Sequence, residues 1–175
     1  ALGVTDQGSG KGLVTFDYDH DGDLDLFVVN NADEPVLYRN DTANENDWLR
    51  IRFTAAGKAF EGRNAFITVT ADAGGPAQVR EMGVSTHYLG QSERVAHFGL
   101  GSRNGAAVHE VKVAWPRSGR VQVFNDVAAN QTFVVTAPEE EVVDASPVTY
   151  HSADYEGPDG KLNVSEVLRV IQLYN

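Results

Sequence analysis

Apolar and polar residues alternate along most of the chain between Trp48 and Ala137. Trp48-Leu49-Arg50-Ile51-Arg52-Phe53, Phe66-Ile67-Thr68-Val69-Thr70 and Val111-Lys112-Val113-Ala114-Trp115 show the pattern most clearly, followed by Val121-Gln122-Val123-Phe124 and Thr132-Phe133-Val134-Val135. A period of two places successive side chains on opposite faces, so each segment reads as a half-buried strand. Several such strands separated by Gly and Asn turns predict an all-β fold: an antiparallel β-sandwich or barrel-like domain, with Trp48, Phe66, Val113 and Trp115 in its core. Two further β-branched and aromatic runs, Leu13-Val14-Thr15-Phe16 and Leu24 to Val29, predict an N-terminal hairpin. The pattern changes to helical near the end. Val164, Val167, Leu168, Ile171 and Tyr174 fall on one stripe of a short C-terminal helix, too apolar to stand alone in water.

At 175 residues the chain holds one medium domain with appendages, and a 42% hydrophobic content supports a core. The net charge of -11 argues against nucleic acid as a partner, because phosphate binding needs clustered Lys and Arg. Cysteine is absent, which excludes disulfides and thiol chemistry. No apolar run is long enough to insert in a membrane.

Between the two N-terminal strands lies Asp17-Tyr18-Asp19-His20-Asp21-Gly22-Asp23-Leu24-Asp25, with a carboxylate at every second position and glycine at the sixth. Calcium takes six to eight oxygens at ~2.3–2.6 Å in flexible geometry, and alternate residues of a tightly curled loop aim inward together. Asp17, Asp19, Asp21 and Asp25 are expected to bind through their side chains and Asp23 through its carbonyl. Gly22 permits the sharp turn. An EF-hand would continue into a helix, whereas this loop continues into a strand.

Gly12 to Asn30 resembles one FG-GAP or VCBS repeat, the calcium-loop unit of integrin-type β-propellers. A propeller needs several blades, so the single copy implies a longer protein with further repeats upstream. The central block resembles the ASPIC/UnbV domain, through Asn46-Asp47-Trp48-Leu49, Gly62-Arg63-Asn64, Val79-Arg80-Glu81, His97-Phe98-Gly99-Leu100-Gly101 and Val113-Ala114-Trp115-Pro116. The expected organisation is a calcium-loop repeat at 1–45, the β-domain at 46–138, an acidic exposed linker at 139–150 and a metal-binding tail at 151–175.

In that tail, placing Gly160 at the sixth position of an EF-hand-like loop puts Leu162 at the eighth, Asn163 at the ninth and Glu166 at the twelfth. Asp154, Asp159, Lys161 through its carbonyl, Asn163 and Glu166 are then expected to hold a second Ca²⁺. Asn163 and Glu166 also form a capping box for the helix. The segment resembles half of a dockerin, a calcium-loop module of bacterial extracellular proteins.

Catalysis has little support. Ser85 and His87 lack a nucleophile elbow, and Gly99 to Gly105 is followed by a strand-like segment rather than the helix a dinucleotide loop must open. A transition-metal site among His87, Tyr88, His97 and His109 is the weaker alternative to ordinary packing. The expectation is a calcium-binding, non-catalytic module of an exported bacterial protein, at the cell surface or outside it. It would serve adhesion or bind a protein or glycan ligand. The alternatives are a structural cap in contact with upstream repeats and an accessory domain of a carbohydrate-active hydrolase.

Overall fold

The computed structural model describes residues 3–42, 45–83, 86–87 and 90–142, which build an all-β architecture. An N-terminal sheet is formed by β1 (Gly10–Phe16), β2 (Asp25–Asn30) and β3 (Val36–Tyr38) in that order, all antiparallel. Next come β4 (Asp47–Ala55), β5 (Lys58–Phe60), β6 (Phe66–Thr70) and β7 (Ala77–Glu81). The two-residue strands β8 (Thr86–His87) and β9 (Gly90–Gln91) pair with each other. The fold closes with β10 (Ala96–Gly101), β11 (Val108–Ala114), β12 (Val121–Val127) and β13 (Gln131–Thr136).

Two four-stranded sheets make the sandwich. One has the order β10-β4-β13 with β5 appended to β4, the other β12-β11-β6-β7. Alternation in the sequence selects their inner faces. Leu49, Ile51 and Phe53 of β4, Phe98 of β10 and Val135 of β13 meet Ile67 and Val69 of β6 and Val111 and Val113 of β11 in one continuous core. Trp115, just past β11, completes it with its ring 4.6 Å from Phe53, while its indole N–H donates to Gln122 at 2.7 Å. Glycine matters at Gly62, where φ is +55° and a Cβ would fall 2.1 Å from the Phe53 ring.

Four details differ from the expected pattern. β13 runs parallel to β4, in a register that sets Thr132 beside Arg50, although every other ladder among the described residues is antiparallel. Strand direction depends on how the chain crosses between sheets, which side-chain period does not encode. Phe66 is 47% exposed because it stands on the outer face of β6, opposite in phase to Ile67. Trp48 likewise shares the outer phase of β4 with Arg50 and Arg52 and is only half-buried. The stretch expected to begin an exposed linker starts instead with a packed 3₁₀ turn, Glu139–Glu141. There Glu141 is buried and accepts the Ser118 amide, and Glu140 pairs with Arg120.

Candidate metal centre

The β1–β2 connection carries the aspartates. Its backbone curls through two left-handed residues, His20 at φ 64° and Gly22 at φ 96°. His20 is a non-glycine residue in a region that L side chains adopt uncommonly. The curl brings one oxygen each from Asp17, Asp19 and Asp21 within 4.8 Å of one another. Asp17 is 3% exposed, and the other two are open to solvent.

The partners of these carboxylates separate their roles. Asp17 Oδ2 accepts from Arg50 Nη1 at 3.0 Å and from the Gly22 amide at 3.3 Å, while Asp17 Oδ1 is buried without a hydrogen-bond partner. An ionised oxygen stranded in this way carries a desolvation cost of order 1–3 kcal/mol or more. A cation held by the cluster would remove that cost. Asp21 Oδ1 accepts the Asp23 amide at 2.9 Å, which fixes the turn. Asp25 is 1% exposed, and its two oxygens accept the amides of Tyr18 and Asn40, each at 2.7 Å. It ties the loop's start to the segment after β3 and stands outside the three-oxygen cluster among the described residues. The second expected set, Asp154, Asp159, Lys161, Asn163 and Glu166, lies outside the described residues.

The loop is seated on the outer face of the β10-β4-β13 sheet through contacts that local motif spacing does not reveal. Arg50, 5% exposed, reaches Asp17 with one guanidinium nitrogen and grips both Glu93 oxygens with the other, at 2.7 and 2.8 Å. Gly22 lies against Trp48 so closely that a Cβ would come 1.9 Å from the indole nitrogen. The Gly22 carbonyl accepts from His97 Nε2 at 2.7 Å, which requires the proton on that nitrogen. Sequence alternation marked Trp48 and Arg50 as strand residues, while His97 entered only through the family motif and the weak transition-metal alternative. Their meeting at the loop is set by the β10–β4 register, in which His97 faces Arg50.

Asp47 opens β4 beneath this assembly. Its carboxylate accepts from the Asn130 side chain at 2.6 Å and from the amides of Arg103 and Gly105 at 3.0 and 2.9 Å. These donors, Asn130 first, hold its pKa below the ordinary carboxylate value. Asp47 therefore anchors the turn after β10, the glycine-containing segment that resembled a dinucleotide loop; that turn leads into β11 rather than a helix.

Residues 56–142 match the family described as ASPIC and UnbV. The ASPIC/UnbV match takes in β5 to β13 and the turn that seals them, and so most of the sandwich. The chain is also similar to cartilage acidic protein 1 of Mus musculus and Homo sapiens, 31% identical over 141 residues and 77% of this chain in both cases. The Xenopus tropicalis protein of the same name is 30% identical over 112 residues, or 62% of this chain. The chain spans 21%, 20% and 16% of the lengths of these three relatives. No helix among the described residues is long and apolar enough to cross a membrane.

Proposed function

We propose that this chain is a calcium-stabilised, non-catalytic module that acts in adhesion or ligand binding outside the cell. The observation that carries the reading is the buried Asp17 Oδ1, without a hydrogen-bond partner, in a loop that gathers oxygens of Asp17, Asp19 and Asp21. Hard carboxylate and carbonyl oxygens suit Ca²⁺, while the donor set lacks the sulfur and imidazole ligands favoured by softer metals. Asp17, Asp19 and Asp21 would hold the ion with the Asp23 carbonyl, while Asp25 ties the loop to the segment after β3. The carboxylates would then serve binding and architecture, which favours a non-catalytic role. Calcium as a staple in a cysteine-free chain, together with the resemblance to cartilage acidic protein 1, supports an extracellular or cell-surface setting.

A ligand that binds only the folded state stabilises it by about 2.7 kcal/mol at 100 times its dissociation constant. Excess chelator should therefore lower the melting temperature, and Asp21→Ala should abolish most of that response. Identical melting curves with calcium and with chelator would overturn the proposal.

A further inference from the structure

Beside the loop, on the same outer face of β10-β4-β13, lies an open groove of about 360 Å³, within the ~300–1,000 Å³ range of small-ligand sites. His20, Trp48, Arg50, Arg52, Glu93 and Thr132 line it. The two arginines differ. Arg50 is saturated by Asp17 and Glu93, whereas Arg52 is exposed and has no acidic partner among the described residues. An unneutralised guanidinium is a conspicuous feature in a chain of net charge -11. Its planar fork binds a carboxylate through two parallel hydrogen bonds.

The geometry points to this groove as the binding site for an acidic saccharide unit, a uronate, whose carboxylate pairs with Arg52 and whose ring lies against Trp48. The inference rests on the calcium reading above. The indole of Trp48 offers an apolar surface to the C–H face of a sugar ring, and Thr132, His20 and the Glu93 carboxylate offer partners to its hydroxyl groups. Glu93 is held through both oxygens by Arg50, and once a cation offsets Asp17 the Arg50 charge is left to balance Glu93. Strand addition by an extended peptide is disfavoured here. The floor strand β4 is paired on both sides, to β10 and β13, so its backbone groups are engaged and recognition must run through side chains.

The loop makes this binding conditional. Without a cation, Asp17, Asp19 and Asp21 present an anionic cluster beside the groove, and His20, within that loop, forms part of its wall. With Ca²⁺ in place the local charge is offset and the loop backbone is held. The uronate should therefore bind the calcium-loaded protein and bind poorly after chelation.

The test is a titration with methyl glucuronide and methyl glucoside, followed by ligand-observed NMR on the full chain, with calcium and with chelator. A glutamate-rich peptide provides a third arm, and the melting temperature is measured in every condition. The expected result is calcium-dependent binding of the glucuronide, at least tenfold weaker binding of the neutral glucoside, and at least a tenfold loss in Arg52→Gln. Because Arg52 is exposed, that variant should retain the wild-type melting temperature and calcium response. A calcium-shifted melting temperature with no glucuronide binding overturns this inference and leaves the calcium proposal standing. No calcium shift and no binding sinks both. Binding indifferent to calcium or to Arg52 overturns the stated mechanism, and binding of the peptide in place of the glucuronide overturns the ligand class.

Discussion

Gly22 illustrates how much one position contributes to the metal loop. Its φ of 96° excludes an unstrained L side chain, and a Cβ would also collide with Trp48. Gly119 has φ 67° but nothing within 4 Å of its would-be Cβ. Alanine at a positive φ destabilises by more than the ~0.4–1 kcal/mol that glycine removal otherwise gains. Gly119→Ala should show that strain alone, while Gly22→Ala should show the strain, a further loss from the displaced indole, and weaker calcium binding. Equal losses at the two sites, read from denaturant midpoints, would mean that the Trp48 contact contributes nothing. Asp47 sets a pH dependence. Its folded pKa is depressed by the bonds from Asn130, Gly105 and Arg103, so its stabilisation is present above the unfolded value of ~3.9 and is lost as pH falls through the folded value. Melting temperatures in chelator, which removes any calcium contribution, should drop below about pH 4. Asp47→Asn should flatten that drop, and an unchanged profile would assign the acid sensitivity to other carboxylates.

At the scale of the elements, the sandwich was legible wherever the buried face is continuous. Leu49-Ile51-Phe53, Ile67-Val69 and Val111-Val113 occupy the inward phase that the alternation assigns to them. The short strands β3, β5, β8 and β9 span too few residues to show a period, and β7 (Ala77–Glu81) has no buried residue in its pattern to announce it. Phe66 and Trp48 were misplaced because hydrophobicity outweighed phase. Both lie one residue out of register with the core positions beside them. The clustering of Asp17, Asp19 and Asp21 was legible because these acidic residues are local. Arg50, Glu93 and His97 were not, because their meeting depends on the β10–β4 register and on the segment before β10, many residues away in sequence. Trp115 tests the core directly. Replacing a buried large aromatic with alanine costs ~3–5 kcal/mol, a large share of the ~5–15 kcal/mol that typically separates folded from unfolded. Trp115→Ala should unfold at much lower denaturant than wild type. A shift under 1 kcal/mol would show that the core collapses around the gap.

At the scale of the whole molecule, the boundary expected near residue 45 separates segments that the structure joins. The residues up to Val142 form one compact unit, in which the N-terminal sheet meets the sandwich through the metal loop. Arg50 is central to that seam. It spans the buried Asp17 and the partly exposed Glu93, so removing its charge strands Asp17, and breaking one side of a buried pair typically costs ~3–5 kcal/mol. Joined in this way, the loop and the sandwich should unfold together. The chain has two tryptophans, and Trp115 lies in the sandwich core while Trp48 touches the loop. In a Trp48→Phe background, Trp115 fluorescence reports the sandwich alone. Calcium should raise the midpoint of that single transition, although its ligands lie outside the sandwich. Arg50→Met in the same background should lower the midpoint and shrink the calcium-induced shift, because the ion would then stabilise a loop detached from β4. A Trp115 transition that ignores calcium while circular dichroism records a separate calcium-sensitive step would show two independent units and remove the basis for coupling between loop and sheet.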